Sequence, residues 1–471
     1  MSTSEERAWE LSQWDAVETA ERLKRRDVSV PEVVEAAITR ARGAERLAAV
    51  VTPTFERALL SATKPATGPL AGVPMFTKDL TQVAGVRTGW GSAAAGHYVS
   101  TSSDPTVKIF ERTGMISLGK SATPELGLTA TTEPLGVPPT RNPWNPEHST
   151  GGSSGGAAAL VAAGVVPLSH ASDGGGSVRI PASCCGLVGL KVTRGRFDME
   201  GSNLLPVNIA VHGCVTRTVR DTVAFWEAVE QHLPKRRGLP PIGALSTTPP
   251  KKLRIAAFVN SPMGRPVHPD VVAATEQALE LCGELGHQVE LIPCPVEKQV
   301  PEDFMRLWGF VAFMQSKAGR VLMHRGWDPS KLEPWTVGFG KYFSDAVGAS
   351  VTSMRRLRRF KDTWAKLMQK YDVLLSPTLA EPPVKLGHLK TDLPFDVTLE
   401  RVIAYVPFTA LLNASGSPAL SLPLGQSATG LPIGVQFAGA WGSEKLLLEL
   451  GRSIEEARPW KKLAPRELWA R

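Results

Sequence analysis

Residues 151–156 have the sequence GGSSGG, and residues 172–182 have the sequence SDGGGSVRIPA. Glycine clusters are costly to order, and proteins use them where the backbone takes positive φ or approaches a ligand closely. Successive peptide N–H groups in such a turn form a concave site for negative charge. Ser177, at the end of the second cluster, therefore combines an oxygen nucleophile with the oxyanion hole that acyl transfer requires.

A serine hydroxyl is a weak nucleophile and needs a base. No histidine near these segments lies in a comparable motif: His97, His148, His170 and His212. A lysine can act as the base when burial keeps it neutral, because desolvation lowers its pKa. Lys78 follows an apolar run in GVPMFTKD (residues 72–79), which favours burial of its amine. A surface lysine with a packed aliphatic stem is the alternative, and the residues alone leave both open.

The first half of the chain predicts helices that alternate with short strands. Residues 10–42 are expected to form two helices, with Ser29 as the N-cap of the second. Within the Gly/Ser-rich core at 65–200, we expect a strand at 115–118, an alanine-rich helix at 157–163 and a buried strand at 165–168. This alternation favours an α/β fold with a mixed, mostly parallel central sheet covered by helices on both faces.

The second half begins with a proline-rich segment at 233–252, which is expected to be a surface connection. A β-α-β unit is predicted at 253–292, and residues 302–371 are expected to be mainly helical. Further strands are expected at 373–375, 419–422 and 433–437. The connection near 240 either divides two domains or joins two halves of one sheet.

Composition excludes few functions. The chain has 471 residues, 42% hydrophobic and 21% charged, which is ordinary globular usage. The net charge of +8 permits binding to nucleic acid but does not specify it. The densest basic run, at 355–361, has no ladder of interleaved aromatic residues, so we predict a solvated helix face and no nucleic-acid partner.

The five cysteines have no spacing typical of a metal site or a disulfide framework, and we expect reduced core thiols. Residues 1–15 lack the basic start and the apolar stretch of a signal peptide. No run of 18 apolar residues is present, so no membrane-spanning segment is expected. Together these features predict a cytoplasmic protein.

The motifs resemble those of the amidase signature family. The matching segments, in chain order, are GVPMFTKD (72–79), GGSSGG (151–156), DGGGSVRIPA (173–182), GLVGLK (186–191), YDVLLSPT (371–378), NASGSPA (413–419) and GLPIGVQ (430–436). All of them in order are far more specific than any one alone. The resemblance implies the amidase signature fold as a single domain over residues 1–471, with a variable helical region at about 300–371 that shapes the substrate funnel.

The resemblance also assigns roles to individual residues. Lys78 is implied to be the general base, Ser153 to relay protons from a cis Gly152–Ser153 peptide, and Ser177 to be the nucleophile. Backbone amides of the loop are implied to form the oxyanion hole: Gly174, Gly175, Gly176 and Ser177. Three further residues are implied to support these loops: Ser154, Asp173 and Arg179. The family needs no metal ion and no organic cofactor.

Two positions depart from the family pattern. Gly174 stands where the family usually has a bulkier residue, which is expected to loosen the loop and enlarge the acyl site. Val192 stands in place of the usual proline, and we expect the effect to be local.

The implied activity is hydrolysis of carboxylic amides through an acyl-enzyme on Ser177. Within the family, the chain most resembles the branch of 6-aminohexanoate cyclic dimer hydrolase, which acts on oligoamides, and of aryl-amide hydrolases. Aromatic residues at 308–339 favour hydrophobic or aryl amides, and a homodimer is common in the family. Esters and carbamates (urethanes) are also expected to be cleaved, because their alkoxide leaving groups need less protonation.

Three alternatives were weighed. A literal Gly-x-Ser-x-Gly at 151–155 suggests an α/β-hydrolase elbow, but Pro143 and Pro146 are expected to block the strand that must precede it. A phosphate-binding loop lacks the Lys-Ser or Lys-Thr that closes a Walker motif. The third alternative lies within the family: the amidase subunit of a tRNA-dependent amidotransferase, which the basic charge supports.

Overall fold

The computed structural model describes residues 3–65, 67–234, 238–246 and 251–470. Its α-helices are α1 (Thr3–Leu11), α2 (Ala16–Arg25), α3 (Val30–Gly43), α4 (Phe55–Ala62), α5 (Pro105–Arg112), α6 (Gly155–Ala162), α7 (Arg179–Cys185), α8 (Val219–Glu230), α9 (Pro269–Glu284), α10 (Gln299–Leu322), α11 (Pro334–Ser344), α12 (Val347–Leu367), α13 (Phe395–Tyr405), α14 (Ala410–Ser415) and α15 (Glu444–Ala457). Its strands are β1 (Val50–Pro53), β2 (Pro74–Lys78), β3 (Ile116–Ser121), β4 (Arg141–Asn142), β5 (Asn145–Ser149), β6 (Leu168–Asp173), β7 (Val188–Lys191), β8 (Val211–Thr216), β9 (Arg254–Ala257), β10 (Gln288–Leu291), β11 (Val373–Pro377), β12 (Ala419–Gln426) and β13 (Pro432–Gly439).

Eight strands form one large sheet in the order β10-β9-β11-β13-β12-β7-β8-β6. β9 pairs in parallel with β10 and β11, whereas every other neighbouring pair is antiparallel. The sheet is therefore mixed, as predicted, but the prediction that it is mostly parallel was wrong. β6 and β7, which α7 joins, do run in the same direction. β8 lies between them and runs the opposite way, so a strand–helix–strand segment does not give neighbouring parallel strands here.

Helices cover both faces of this sheet, as predicted. Val373 and Leu375 of β11 pack into a core that includes residues of α8, α9 and α15. Leu374, between them in sequence, packs on the other face with residues of α10, α12 and α14. On that second face, α6 and α7 pack in an adjoining core beside β6 and β8. Alternate residues of a strand point to opposite faces, so a sandwiched strand is apolar throughout.

The strand that leads into the glycine loop lies three residues later than predicted. The expected strand at 165–168 is wrong, because β6 spans Leu168–Asp173. Val165 N–H bonds back to Leu160 at the end of α6, and Pro167 has no N–H to donate to a sheet. β6 carries polar side chains yet is buried along its whole length. Hydrogen bonds within the protein make this burial possible; Ser169, for example, donates to the carbonyl of Phe76.

A second departure concerns the segment before Ser153. Asn145–Ser149 does form a strand despite Pro146, so the expectation that prolines block it was wrong. It pairs with Arg141–Asn142 in a two-stranded hairpin outside the large sheet, where a proline is tolerated at an edge. The strand ends at Ser149 and therefore does not lead directly into Ser153, as an α/β-hydrolase elbow would require.

The small sheet β1-β3-β2 positions the predicted base. β2 is buried along its length and pairs in parallel with β3, and Lys78 is its last residue. Lys78 N–H donates to His170 of β6, which fastens the end of β2 beside the large sheet. The sequence-predicted base therefore lies beside the strand that enters the glycine loop.

Other predicted elements are confirmed. Residues 10–42 contain α2 and α3, and Ser29 caps α3 by accepting the amide of Glu32, although α1 was not predicted. The β9-α9-β10 unit and the helical region α10–α12 also lie where expected. No helix in the described ranges combines the length and the apolar character needed to cross a bilayer.

The predicted surface connection at 233–252 lies partly outside the described residues, at 235–237 and 247–250. Strands from both sides of it share the large sheet, since β9–β13 follow it in the chain and β6–β8 precede it. That arrangement favours the single-domain prediction, which stays a prediction.

Close packing of α6 against β3 gives a testable prediction. A Cβ at Gly156 would lie 2.4 Å from the amide nitrogen of Ala122 in the backbone after β3. We expect Gly156→Ala to lower the free energy of unfolding by about 1–3 kcal/mol, because backbone must move. The matched control is Gly348→Ala in the first turn of α12, where a Cβ meets nothing within 4 Å.

Urea denaturation measures both variants. The control should be neutral or stabilising by about 0.5 kcal/mol, because alanine restricts the unfolded chain. Equal effects of the two substitutions would contradict the tight packing described for α6.

Candidate active site

Of the three residues implied in proton transfer, Ser153 and Ser177 lie in two glycine-rich loops and Lys78 lies at the end of a strand. The Nζ atom of Lys78 lies 2.8 Å from Ser153 Oγ and 3.0 Å from Ser172 Oγ. Lys78 has no exposed surface, and Ser153 is almost fully buried. The Gly152–Ser153 peptide is cis, as the family resemblance implies. The alternative of a surface lysine at position 78 is therefore wrong.

Burial sets the charge of this amine. Desolvation lowers the pKa of Lys78 to about 7, and the negative charge of Asp173 partly opposes that effect. An amine with this pKa is neutral in a large fraction of molecules near neutral pH. A neutral amine can accept a proton from a hydroxyl, which is what a general base must do.

Two other buried lysines have lowered pKa values but different partners. Burial lowers the pKa of Lys191 to about 7, and its Nζ donates to the carbonyls of Val192 and Ser417. Burial also lowers the pKa of Lys120, and its Nζ lies 2.8 Å from the carboxylate of Asp79. Among these three lysines, Lys78 is the one that contacts serine hydroxyls.

The glycine loop is fixed by a buried ion pair. Arg179 Nε and Nη2 donate to the two carboxylate oxygens of Asp173, each over 2.9 Å. Burial alone would raise the pKa of Asp173, but the adjacent Arg179 guanidinium holds it well below its usual range. The carboxylate also accepts the amides of Gly176 and Val178. Asp173 therefore holds both the start of the loop and the start of α7.

The late sequence motifs complete this brace. Asn413 Nδ2 donates to the carbonyl and the carboxylate of Asp173 over 3.1 and 2.9 Å. Arg179 Nη1 donates to Gln436 over 2.6 Å and to the carbonyl of Thr409 over 2.8 Å. The resemblance at residues 413–419 and 430–436 thus corresponds to contacts with the glycine loop.

The amides of the loop differ in their availability. Gly176 N–H is donated to Asp173 over 2.8 Å. In the described part of the chain, the amides of Gly174, Gly175 and Ser177 have no protein acceptor. Gly176 has φ of +130°, and a Cβ there would lie 2.3 Å from Thr409 Oγ1, so position 176 requires glycine. A role for Gly176 in the oxyanion hole stays a prediction. Its N–H would have to donate to the oxyanion and to Asp173 at the same time.

Ser154, predicted as a supporting residue, joins the two serine loops. Its Oγ accepts the amide of Ser172 and donates to the carbonyl of Ser172, both over 3.3 Å. Ser172 in turn contacts Lys78 Nζ. The contact fixes the Ser153 loop beside the end of β6.

A cleft opens in front of Ser177, which is 6% exposed, and contains about 820 Å³ of empty space, including space open to solvent. Its walls are mainly apolar, with Glu302 as the charged lining residue in the described part of the chain. Among the aromatic residues expected to shape a funnel, three line it: Trp308, Trp335 and Phe339. Four other members of that region do not line it: Phe310, Phe313, Met314 and Trp327. Phe310, Phe313 and Trp327 pack in apolar clusters, so core packing was the correct interpretation for these three. Met314 is half-buried.

The expectation that Gly174 enlarges the acyl site is wrong. A Cβ at Gly174 would lie 3.2 Å from Cη2 of Trp308. The space left by the missing side chain is therefore occupied by an indole from α10, which follows the loop by more than a hundred residues.

Sequence reasoning missed two features of the site. No motif in the sequence gives Ser172 a role of its own, yet its hydroxyl is the second one bonded to Lys78. His170 lies in no catalytic motif, yet its Nδ1 accepts Lys78 N–H and its Nε2 contacts His212 over 3.0 Å. His212 then contacts Glu200 over 2.8 Å. Placing β6 three residues later would have put His170 and Ser172 on one face, beside Lys78.

Comparisons with known proteins identify the family of the chain. Residues 32–448 match the family described as Amidase. The Mycobacterium leprae protein named "Putative amidase AmiC" is 40% identical over 96% of this chain and 97% of its own length. Among solved structures, 6-aminohexanoate cyclic dimer hydrolase complexed with substrate has a TM-score of 0.87 at 31% identity, covering 97% of this chain and 99% of that one. A bacterial aryl acylamidase of the amidase signature enzymes has a TM-score of 0.79 at 26% identity, over 95% and 96% of the two chains.

The fold is that of the amidase signature enzymes, and the protein is an amide hydrolase that acts on small molecules. The chain belongs to the amidase signature family.

The buried ion pair predicts an effect on stability. Asp173→Asn keeps the shape of the side chain but leaves the Arg179 guanidinium buried without a counter-charge. We expect the free energy of unfolding to fall by about 3–5 kcal/mol, as measured by urea denaturation. The matched control is Glu400→Gln, which breaks the exposed pair between Arg265 and Glu400 and should change stability by at most about 1 kcal/mol. A comparably small change for Asp173→Asn would show that the pair does not hold the loop.

Proposed function

We propose that this amide hydrolase works through an acyl-enzyme on Ser177, with Lys78 as general base and Ser153 as proton relay. The observation that carries the proposal is the 2.8 Å contact between Lys78 Nζ and Ser153 Oγ, made by an amine with a pKa of about 7. A charged lysine could only donate to Ser153, whereas a neutral one can also accept its proton.

The proposed acylation passes one proton to Lys78 and then returns it to the leaving group. Lys78 accepts the proton of Ser153 while Ser153 accepts the proton of Ser177. Ser177 Oγ then bonds to the carbonyl carbon, and the carbonyl electron pair moves to oxygen. The proton returns through Ser153 to the amide nitrogen, so the C–N bond breaks with a neutral amine or ammonia as leaving group. Water then gives a proton through Ser153 to Lys78 and attacks the ester carbon. The bond from that carbon to Ser177 Oγ breaks, the proton returns to Oγ, and the free acid leaves.

The negative oxygen needs donors that are free before the reaction begins. We assign this role to the amides of Gly174, Gly175 and Ser177, which have no acceptor within the described residues. Preorganised donors of this kind are worth about 3–4 kcal/mol each in acyl transfer. Asp173, Arg179 and Ser154 do not touch the reacting atoms in this scheme; they hold the loops that do.

The character of the cleft favours hydrophobic substrates. Its walls combine aromatic rings with Leu128, Ile180, Val402 and Ile403. Burying a phenyl or alkyl group there removes apolar surface from water, at about 25 cal/mol per Å². Likeness to the oligoamide and aryl-amide hydrolases supports the same preference. Esters and carbamates should also react, because their leaving groups need less help from Ser153.

The amidase subunit of a tRNA-dependent amidotransferase is the alternative within the family. A subunit of that kind acts with a partner, whereas a free-standing hydrolase works alone. The apolar cleft favours the second. Three further predictions remain with this proposal: a cytoplasmic location, a single domain over residues 1–471 and a homodimer.

A hydrolysis panel tests the proposed function. The purified chain is incubated with acetamide, an aryl anilide, a linear oligoamide, an aryl ester and a carbamate. We expect amide hydrolysis without a partner, with kcat/KM for the anilide at least about tenfold above that for acetamide, because the cleft buries the ring. Ser177→Ala should lose about 10⁴-fold or more on every substrate.

A fluorophosphonate probe identifies the nucleophile in the same samples. Peptide mapping should place the label on Ser177 in the native protein and in Ser153→Ala at a reduced rate, and on neither serine in Ser177→Ala. Label on Ser153 would support the elbow alternative. Absence of any amide turnover by the isolated chain would overturn the proposal in favour of the amidotransferase subunit, and equal turnover of acetamide and anilide would refute the hydrophobic preference.

A further inference from the structure

One wall of the cleft is built by two aromatic rings that lie directly against the glycine loop. Trp308 and Phe304 occupy successive turns of α10, and their rings stack at 5.6 Å with 24° between planes. Hypothetical Cβ atoms at Gly174 and Gly175 would lie 3.2 Å from Trp308 and 3.4 Å from Phe304. A methyl group added to either glycine would therefore touch one of the two rings.

The Trp308 ring is held in place by a hydrogen bond. Its Nε1 donates to the carbonyl of Leu128 over 3.0 Å. Trp335 Nε1 donates to the same carbonyl over 3.1 Å. Two indoles therefore donate to one carbonyl oxygen, that of Leu128. The segment that contains Leu128 borders Ser153, because a Cβ at the preceding residue, Gly127, would lie 3.1 Å from Ser153 Oγ. A side chain anchored at its far end cannot swing away cheaply to admit a larger group.

Positions 174 and 308 share one volume. Gly174 does not have positive φ, so its backbone could carry a side chain, and Trp308 is what such a side chain would meet. A bulky residue at 174 therefore excludes an indole at 308, and the indole at 308 requires a small residue at 174. The sequence shows that Gly174 replaces a bulkier residue, but it does not show that Trp308 lies beside this position.

We propose that Trp308 is a specificity-determining residue that limits branching at the acyl carbon next to the scissile carbonyl, with Gly174 as the residue that makes room for it. The inference rests on the proposed function and deepens it. The leaving nitrogen must face Ser153 to receive its proton, so the acyl group takes the other side of the carbonyl. A carbonyl oxygen bound about 3 Å from the Gly174 and Gly175 amides brings the acyl α-carbon against Trp308. Unbranched acyl chains fit along the Trp308 ring, whereas a quaternary α-carbon clashes with it.

The test compares two anilides that share one leaving group. The α-carbon of acetanilide is a methyl group, whereas the α-carbon of pivalanilide is quaternary. The quantity measured is the ratio of kcat/KM for pivalanilide to that for acetanilide, which does not depend on the fraction of folded enzyme. Trp308→Ala should raise this ratio at least about tenfold, since one methyl group in a fitted pocket changes selectivity by 10-fold or more.

Trp335→Ala is the matched control. It removes the second indole that donates to the Leu128 carbonyl, and the atoms nearest to a Cβ at Gly174 belong to Trp308 and Ala210. Its ratio should stay within about twofold of the native value. A double-mutant cycle provides a second readout: Gly174→Ala should lower kcat/KM for acetanilide in the native background and cost much less beside Trp308→Phe. This cycle keeps the proposal testable if the alanine variant at 308 does not fold.

The possible outcomes distinguish a failure of the role proposed for Trp308 from a failure of the proposed function. Hydrolysis of acetanilide with an unchanged ratio in Trp308→Ala, or additive effects in the cycle, overturns the role of Trp308 and leaves the amidase mechanism standing. A larger ratio in Trp335→Ala than in Trp308→Ala also overturns it. No hydrolysis of either anilide, and none of the corresponding phenyl esters, overturns the proposed function together with this inference.

Discussion

The site depends on a lysine amine that is removed from water and bonded to two serine hydroxyls. Lys78 ends a fully buried strand, and its Nζ contacts Ser153 and Ser172. Burial moves its pKa to about 7, whereas Asp173 limits the shift. Both effects come from the same place in the fold, where β2 lies against β6. Without that contact the amine would be solvated and charged, and the proposed relay from Ser177 through Ser153 would have no base.

The second constraint is the shape of the glycine loop. Asp173 and Arg179 form a buried pair that residues from distant motifs complete. Several loop amides meanwhile have no acceptor among the residues that the structure describes. A Cβ at Gly174 would lie 3.2 Å from Trp308, so the helical region borders the site. In the proposed scheme the loops supply the chemistry, and α10 limits which acyl groups fit beside them.

Local patterns in the sequence predicted much of this. The helices at 10–42 and 269–284 follow apolar periodicity and caps, and the family motifs located Lys78, Ser153 and Ser177. The sequence misplaced β6 because its residues are polar, and their burial depends on bonds to β2 that lie far away in the chain. It also suggested a mostly parallel sheet, because no local pattern reveals that β8 lies between β6 and β7. The contact between Gly174 and Trp308 could not be predicted for the same reason.

The charge of Lys78 is the central claim, and NMR titration tests it most directly. Lysine labelled with ¹³C at Cε gives one resonance per residue, and Lys78→Arg identifies the one that belongs to Lys78. The account predicts a midpoint near pH 7 for this resonance, because desolvation lowers the pKa from its ordinary value of 10.5 to about 7. A midpoint close to 10.5 would mean a charged amine at neutral pH, and the relay through Ser153 would then have no base.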